Sequence, residues 1–330
     1  MTPPFLSDDR ADRYFLNTRE ILHREGIDPQ VTLEVFTNGP GTLCGIDEVV
    51  GYLSEAPRSD RFAIDAAEDG STLSAKDVVM RIEGAYSSFG VFETVLLGAL
   101  AHGTGWATSA ATCVEAAEGT SVISFGARHV HPAVSDRMEY AAMIGGCAGC
   151  ATPAGAALSG TTASGTMPHA MMLIFGDTLV ASQAFDRHMP DTVHRIVLVD
   201  TFRDEVEESV RIADEMGGRL WGVRLDTPSE LGGVTVDLVD RTRSALDASG
   251  HSKVRILVSG GFDAVKIRTF VQAESPVDGF GVGSAISGAR PIDFTADVKE
   301  VDGRPVSKRG RKPGRSETAN LRRVHPGADG

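Results

Sequence analysis

The chain has 330 residues, of which 42% are hydrophobic, and a formal net charge of −13 at pH 7. Its length exceeds the roughly 100–200 residues of one ordinary domain, so two domains are expected. The acidic balance excludes sequence-independent nucleic-acid binding, which needs basic patches. No apolar stretch reaches the ~18 residues needed to span a membrane, and the first residues lack a secretion-signal pattern, so we expect a cytoplasmic protein.

The cysteines Cys44, Cys113, Cys147 and Cys150 are too few and too scattered for a disulfide framework in a chain of this length. Cys147-Ala-Gly-Cys150 has the spacing of redox and zinc sites, but the sequence lacks a second such pair or a matching histidine pair. We therefore expect small, buried core cysteines.

The first part of the chain, residues 1–119, has the pattern of an α/β layer domain with linking helices. An amphipathic helix is predicted near residues 11–25. An alternating strand follows at residues 31–36, and a further strand is predicted at residues 61–65.

Two more segments of this part have a helical pattern. Ser74-Ala-Lys-Asp77 resembles a helix N-terminus with Ser74 as its cap. Residues 92–117 are rich in Ala, Leu and Gly, which is typical of closely packed, buried helices. We expect these helices to link the two domains.

Short apolar runs in the rest of the chain each end in a polar or glycine cluster, and helix-like segments separate them. Parallel strands buried on both faces have this continuous hydrophobic character. The pattern therefore predicts repeated βα units, as in a barrel, over residues 120–288. The runs are residues 121–126, 195–200, 220–226, 254–261 and 277–283.

The ends of the last four runs carry two aspartates and two glycine-rich clusters. They are Asp200, Asp226, Ser259-Gly260-Gly261 and Gly281-Val282-Gly283. Bare backbone N–H groups can approach phosphate oxygens only where Cβ atoms are absent, so the pattern predicts a site for a sugar phosphate and a metal. The structural alternative is that each Asp caps the following helix and each Gly turns the chain.

The C-terminal part changes character after the last of these runs. Residues 293–301 alternate like a strand with one exposed face, and Asp302-Gly303 has the signature of a hairpin turn. We expect residues 289–308 to return to the first domain. Residues 309–330 are rich in Lys, Arg, Gly and Pro, which predicts a disordered basic tail.

Two single side chains are candidates for direct contact with a substrate. His169 lies at a loop-to-helix junction, where an imidazole can act as acid, base or nucleophile, and Thr166 with nearby glycines can bring a phosphate close to it. Arg128 follows the first predicted barrel strand, where its guanidinium can grip a carboxylate in two hydrogen bonds. The alternatives are a structural histidine and an arginine paired to Asp136.

Arg224 and Asp226 lie two residues apart, so they project from the same face of an extended segment. As a functional pair, Arg224 would meet a phosphate, and Asp226 would meet ribose hydroxyls or a metal-bound water. The alternative is an ion pair within the strand.

Eight motifs together make the chain similar to the nicotinate phosphoribosyltransferases, of the shorter archaeal and bacterial branch. They occur in the same order as in that family and cover about residues 12–308. The motifs are Ala-Asp-Arg-Tyr14, Phe92-Glu-Thr-Val-Leu-Leu97, Phe125-Gly-Ala-Arg128, Gly165-Thr-Met-Pro-His169, Leu198-Val-Asp200-Thr-Phe, Arg224-Leu-Asp226, Ser259-Gly-Gly261 and Phe280-Gly-Val-Gly283.

The resemblance implies a type II phosphoribosyltransferase, an α/β protein with an N-terminal α/β sandwich and an irregular, incomplete α/β barrel. By similarity, Arg128 would bind the nicotinate carboxylate, and Tyr14 would stack on the pyridine in a neighbouring subunit's site. His169 matches a histidine that ATP phosphorylates, and Asp200 and Asp226 match acidic positions around ribose and Mg²⁺. The implied site for the 5′-phosphate consists of Ser259, Gly260, Gly261, Gly281, Val282 and Gly283.

The implied reaction forms nicotinate mononucleotide and pyrophosphate from nicotinate and phosphoribosyl pyrophosphate, in NAD biosynthesis. Mg²⁺, coupling to ATP through a phosphohistidine, and a homodimer or higher oligomer belong to the same expectation. The alternatives are quinolinate phosphoribosyltransferase, a relative acting on another aromatic base, and a non-catalytic pyridine-nucleotide sensor. One clear arginine after the first barrel strand, Arg128, favours a base with a single carboxylate.

Overall fold

A computed structural model describes residues 6–327 of the chain. The chain divides into two compact units, one containing the residues up to Thr108 and those from Arg290 onward, the other Ser109–Ala289. The α-helices of the described range are α1 (Arg13–Glu25), α2 (Ile46–Ser54), α3 (Tyr86–Phe89), α4 (Glu93–Ala116), α5 (Ser135–Ile144), α6 (Pro153–Leu158), α7 (His169–Phe175), α8 (Thr178–His188), α9 (Glu205–Met216), α10 (Val236–Ala248), α11 (Ala264–Gln272) and α12 (Ser284–Ser287).

The strands fall into a mainly antiparallel set and a parallel set, described below. In the same part of the chain they are β1 (Gln30–Thr37), β2 (Gly41–Thr42), β3 (Phe62–Ala66), β4 (Thr72–Leu73), β5 (Val78–Ala85), β6 (Ser121–Ser124), β7 (Ile196–Leu198), β8 (Gly222–Leu225), β9 (Arg255–Val258), β10 (Gly279–Val282), β11 (Phe294–Val301), β12 (Arg304–Pro305) and β13 (Arg322–His325).

The first unit is built on an antiparallel sheet whose described strands have the order β12-β11-β1-β5-β3-β13. The alternation in β3 places Phe62 and Ile64 on the buried face. These side chains share one hydrophobic core with Leu53 of α2 and Leu100 of α4. Burying a side chain of this size contributes roughly 1.5–3 kcal/mol, so the apolar stripes of the helices and the sheet hold this layer together.

The segment after residue 289 completes this sheet. β11 pairs with β1, and Asp302 and Gly303 both have positive φ, as the predicted two-residue hairpin turn between β11 and β12 requires. The boundaries between the two compact units lie at 108/109 and 289/290, whereas the sequence pattern put them at 119/120 and 288/289. The first observed boundary falls inside α4.

The prediction of a disordered tail over residues 309–330 is wrong for the part that the structure describes. β13 pairs with β3, and Arg323 forms an ion pair with Asp65 at 2.6 Å. Arg315 binds Glu300 at 2.8 Å and also pairs with Glu83. The basic residues of the tail therefore have acidic partners on the sheet. Residues 328–330 lie outside the described range.

The prediction of a helix N-terminus at Ser74 is also wrong. Ser74 donates its backbone N–H to the Asp77 carboxylate at 2.7 Å, and Lys76 takes the left-handed conformation with φ 77°. This arrangement is a tight turn that leads into β5. Asp77 thus accepts a hydrogen bond in a local turn, a role that short polar side chains have in turns as well as in helix caps.

The second unit contains a parallel sheet with the described strand order β6-β10-β9-β8-β7. The first strand of this unit, β6, pairs with its last strand, β10, as in a barrel. A parallel bridge between Ile123 and Gly149 extends the other side of β6. Within residues 6–327 no strand pairing closes the ring between β7 and Gly149, so the barrel is incomplete. The predicted fold class is confirmed.

The cysteines are buried and free, as expected. Burial raises the pKa of Cys147 to about 12 and that of Cys113 to about 11, so these thiols stay protonated and unreactive at neutral pH. No helix in the described part of the chain is both long enough and apolar enough to cross a membrane.

Candidate active site

A cavity of about 640 Å³ lies in the second unit, where strands of the parallel sheet end. This is the edge at which barrels of βα units carry their chemistry. Its lining includes the aromatic ring of Phe125 and eight polar or charged side chains. They are Arg128, Ser135, Thr152, Ser164, Thr166, His169, Arg224 and Asp226. The structure therefore brings together residues that the sequence spreads over about a hundred positions.

His169 and Asp200 form a hydrogen-bonded pair next to the cavity. His169 is the first residue of α7, and Asp200 follows β7. His169 Nε2 lies 2.9 Å from Asp200 Oδ2, and the Asp200 side chain is only 1% exposed whereas that of His169 is 43% exposed. Burial raises the pKa of Asp200, although the hydrogen bond from His169 opposes this effect. The carboxylate fixes the ring while leaving it accessible.

Asp200 Oδ1 is buried and has no hydrogen-bond partner among residues 6–327. An unsatisfied carboxylate oxygen is costly, so it marks a place where a ligand hydroxyl or a cation can bind. The negative charge of Asp226 contributes to the raised pKa of Asp200, which places the two carboxyl groups within electrostatic reach of each other.

Arg224 extends from β8 into the same region. Its guanidinium donates to the Thr166 hydroxyl and, at 3.4 Å, to the Met167 carbonyl, and it lies 5.8 Å from the centre of the Phe125 ring. Burial lowers its pKa, while the charges of nearby carboxylates oppose the change. Within the described residues it forms no ion pair, and its buried Nε has no partner. The guanidinium is therefore held in place by uncharged partners.

The alternative of an ion pair between Arg224 and Asp226 is therefore not realised. Asp226 instead accepts a hydrogen bond from the Ser259 hydroxyl at 2.8 Å. This bond joins the ends of β8 and β9 and leaves the second carboxylate oxygen of Asp226 available at the cavity.

The end of β9 forms a bare backbone loop. Gly260 and Gly261 have φ values of 88° and 67°, in the left-handed region that favours glycine. A Cβ on Gly260 would lie 3.0 Å from Asp226 Oδ1. Asp263 caps α11 immediately afterwards, and Lys266 Nζ lies 3.4 Å from the Gly260 carbonyl oxygen. A glycine loop, a helix start and a lysine together suit a phosphate group.

The glycines near the end of β10 have a separate packing role. Gly281 and Val282 are buried within the strand. A Cβ on Gly281 would lie 2.5 Å from the Phe125 ring, and one on Gly283 would lie 2.9 Å from His129 Cε1. Glycine thus lets these rings lie over the strand end. Phosphate binding by Gly281, Val282 and Gly283 stays a prediction.

Arg128 is exposed at the cavity and forms no hydrogen bond or ion pair within the described part of the chain. The alternative of a pair with Asp136 is not realised, because Asp136 accepts from the backbone N–H of Arg137 at 2.9 Å. Arg128 therefore has its full set of donors free for a carboxylate. Tyr14 lies in the first unit on α1 and is 59% exposed; its role in a neighbouring subunit's site stays a prediction.

Sequence reasoning missed Phe125, Thr152 and Lys266 as parts of the site. Lys266 had a usable signal, since it stands in the first turn of a helix that directly follows a glycine pair. Thr152 had none, because its place at the cavity depends on how the chain between β6 and β7 folds back.

The described residues contain no group of three or more His, Cys, Asp or Glu side chains that could hold a metal on its own. Mg²⁺ does not need such a group, since it is commonly bound through one or two carboxylates together with substrate phosphates. Asp200 with its unsatisfied oxygen, and Asp226, fit this kind of binding.

Family models match nearly the whole described chain. The N-terminal domain model of quinolinate phosphoribosyl transferase matches residues 12–104, and the C-terminal domain model matches residues 106–297. The chain belongs to this family. The N-terminal match covers strands β1, β3 and β5 of the antiparallel sheet, and the C-terminal match covers every strand of the parallel sheet.

Two named relatives of the chain are nicotinate phosphoribosyltransferases. Nicotinate phosphoribosyltransferase pncB1 of Mycobacterium tuberculosis is 31% identical over 91% of this chain and 74% of that protein. Nicotinate phosphoribosyltransferase pncB2 of the same species is 28% identical over 79% of this chain, but the match spans only 55% of that relative's length.

Solved structures agree with the fold. The crystal structure of nicotinate-nucleotide pyrophosphorylase from Pyrococcus furiosus is 41% identical, with a TM-score of 0.86, over 93% of this chain and 79% of that one. Human nicotinic acid phosphoribosyltransferase has a TM-score of 0.75 over 92% of this chain and 77% of its own, and at 16% identity it shows the fold alone.

Proposed function

We propose that this protein is a phosphoribosyltransferase that forms nicotinate mononucleotide and pyrophosphate from nicotinate and phosphoribosyl pyrophosphate, in NAD biosynthesis. One observation carries the proposal. A single cavity joins Arg128, an arginine with free donors, to Asp226 at the end of β8, and Asp226 in turn lies against the Gly260-Gly261 loop. These groups suit a pyridine carboxylate, a ribose and a phosphate respectively.

In this reaction the pyridine nitrogen attacks the anomeric carbon of the ribose, and the bond from that carbon to pyrophosphate breaks. The electron pair leaves with pyrophosphate, so positive charge develops on the ribose and negative charge on the leaving group. In the proposal, the carboxylates of Asp226 and Asp200 would hold ribose hydroxyls and stabilise the positive charge. Arg224 is a partly buried cation that would meet an anionic group of the substrate. Bound Mg²⁺ would neutralise charge on the pyrophosphate.

Binding orients the base. Arg128 would hold the carboxylate of nicotinate by two parallel hydrogen bonds, which fixes the direction of the ring nitrogen. The Phe125 ring covers part of the cavity and excludes water, which would compete as nucleophile. Positioning of two bound substrates can supply about 7–11 kcal/mol of the barrier reduction.

Coupling to ATP belongs to the proposal and concerns His169. Asp200 holds Nε2 of this ring, and a carboxylate partner increases the nucleophilicity of the imidazole. Nδ1 is the ring nitrogen outside this hydrogen bond. A phosphoryl group from ATP would form a bond to His169 with ADP as the leaving group, and water would later release phosphate.

Quinolinate is the second candidate base, and a specific observation favours it. Arg224, which the sequence analysis assigned to a phosphate, lines the same cavity as Arg128, so two arginines are within reach of one base. Two cations suit a dicarboxylate. The hydrogen bonds from Arg224 to Thr166 and Met167 favour the monocarboxylate, because they occupy part of its donor set.

The test is to incubate the purified protein with labelled phosphoribosyl pyrophosphate, Mg²⁺ and either nicotinate or quinolinate, with and without ATP. We expect mononucleotide from nicotinate, at a rate that ATP increases. If mononucleotide formed from quinolinate but not from nicotinate, with release of CO₂, the substrate would be quinolinate. Tight binding of mononucleotide without turnover of either base would indicate the non-catalytic pyridine-nucleotide sensor. Asp226→Asn should abolish turnover in a folded protein, and His169→Asn should remove the increase that ATP causes. Arg241→Gln, an exposed change on α10, should do neither.

A further inference from the structure

Glu139 is a fully buried carboxylate on α5, outside the residues that line the cavity. It accepts hydrogen bonds from the backbone N–H of Ala151 at 2.7 Å, from that of Thr152 at 3.0 Å, and from the Thr152 hydroxyl. All three donors belong to one two-residue segment. The carboxylate therefore fixes the segment Ala151-Thr152 from the side that faces away from the cavity.

The same segment starts α6, and that helix packs directly on Glu139. Thr152 caps α6 by accepting from the Gly155 backbone N–H at 3.2 Å. A Cβ on Gly155 would lie 2.6 Å from both Cβ and Oε2 of Glu139. Glu139, Thr152 and Gly155 thus form one interlocked unit, in which a change at the carboxylate moves the start of α6.

The front of this segment faces the substrate cavity. Ala151 and Thr152 line the cavity together with Arg128. The preceding residue, Cys150, accepts a hydrogen bond at 2.8 Å from the backbone N–H of Ser164, which also lines it. The position of this wall relative to Arg128 sets the space available to a base held by that arginine.

We propose that Glu139 is a positioning residue that sets the cavity wall formed by Ala151 and Thr152, and thereby the affinity for the pyridine carboxylate. This inference rests on the proposed function. Glu139 acts through Ala151 and Thr152 and touches no substrate. Its effect should therefore be on binding of the base, while the phosphate loop at Gly260 and Gly261 keeps its geometry.

Glutamine at position 139 has the same shape but cannot replace the carboxylate. The two oxygens of Glu139 accept from three donors, whereas the amide of Gln turns one acceptor into a donor that faces another donor. At least one hydrogen bond is lost and the wall must shift. A loss of this kind corresponds to roughly a tenfold effect on an equilibrium constant.

The experiment compares the wild type, Glu139→Gln and Glu139→Asp in steady-state kinetics with nicotinate and phosphoribosyl pyrophosphate varied in turn. For Glu139→Gln we expect KM for the base to rise about tenfold, with kcat and KM for the ribose donor within about threefold. Glu139→Asp keeps both oxygens and should give a smaller rise. It also serves as the test if the Gln variant does not fold.

Glu208→Gln is the matched control. Glu208 is an equally buried carboxylate in the same unit, but it is bound by Arg211 on α9 and lies outside the cavity lining. Its variant should lower the melting temperature and leave KM for the base unchanged. Equal changes of both KM values, or a change in melting temperature alone, for the Glu139 variants would overturn the inference. If the wild type neither turned over nor bound nicotinate, the proposed function would be wrong, and the inference would fail with it.

Discussion

At the residue scale, the site combines groups that are each incomplete without a ligand. Arg224 is partly buried and has no ion pair among the described residues, and Asp200 has a buried oxygen without a partner in the same range. Arg128 is exposed at the cavity. A fold that needed Arg224 and Asp200 only for stability would have satisfied their buried polar atoms, because an uncompensated buried polar or charged group is costly. This arrangement fits the proposed anionic substrate, whose hydroxyls and associated Mg²⁺ would bind these groups.

Glu93, at the start of α4 in the first unit, links stability to pH. Burial and the charges of Asp297 and Asp12 raise the pKa of Glu93 to about 7, from an ordinary value of 4.5. Between these values the folded chain keeps a proton that the unfolded chain has lost, so stability falls as pH rises from about 4.5 through about 7. Glu93→Gln should remove this decline and be more stable than the wild type at pH 8 by about 1–2 kcal/mol, after allowance for solvent screening.

Urea unfolding of both proteins between pH 5 and pH 8 measures this effect. Glu207→Gln, which changes an exposed carboxyl on α9, serves as the control and should keep the slope of the wild type. Parallel curves for the wild type and Glu93→Gln across this range would contradict the assignment.

At the scale of single elements, hydrophobic runs predicted the parallel strands because such strands are buried on both faces, so the signal lies within each segment. Ser74 could not be resolved in this way, since the same short polar pattern serves a turn and a helix cap. β13 forms a strand only because it pairs with β3, which lies more than two hundred residues away in the chain. Thr152 reaches the cavity through Glu139, which no local pattern indicates.

Gly281 in β10 gives a test at this scale. Alanine there would place a Cβ 2.5 Å from the Phe125 ring inside a packed sheet. We expect Gly281→Ala to lower the free energy of unfolding by about 1–3 kcal/mol and to reduce activity, because the displaced ring lines the cavity. Gly218→Ala, where a Cβ meets nothing within 4 Å, is the control. Equal stability of the two variants in thermal unfolding would show that the ring packs elsewhere.

At the scale of the whole molecule, the sequence predicted an α/β chain of two parts and placed the site at the strand ends of the second. It predicted that residues 289–308 return to the first part, but not that residues 309–327 join it as well, because the attachment of this later segment depends on ion pairs such as Arg315 with Glu83 and Glu300. Opposite charges far apart in sequence carry no local signal. The basic composition that suggested disorder is the feature that binds this segment to an acidic sheet.

Arg315→Gln should loosen the C-terminal segment. Two half-exposed ion pairs contribute about 0.5–1 kcal/mol together, so overall unfolding should change little while local opening becomes more frequent. Limited proteolysis should cut residues 307–325 several times faster in the variant than in the wild type. The wild type itself should be cut faster at 1 M salt than at low salt, because salt screens the ion pairs. Arg309→Gln, an exposed neighbour, is the control. Equal cleavage of all three proteins at every salt concentration would contradict the ion-pair attachment.

The most direct measurement is transfer of labelled phosphoribose to nicotinate by the wild type and by Arg128→Gln, followed by chromatography of the mononucleotide. The account predicts product with the wild type, and with Arg128→Gln a KM for nicotinate raised at least tenfold while KM for phosphoribosyl pyrophosphate is unchanged. No mononucleotide from the wild type with any pyridine carboxylate, with or without ATP, would contradict it.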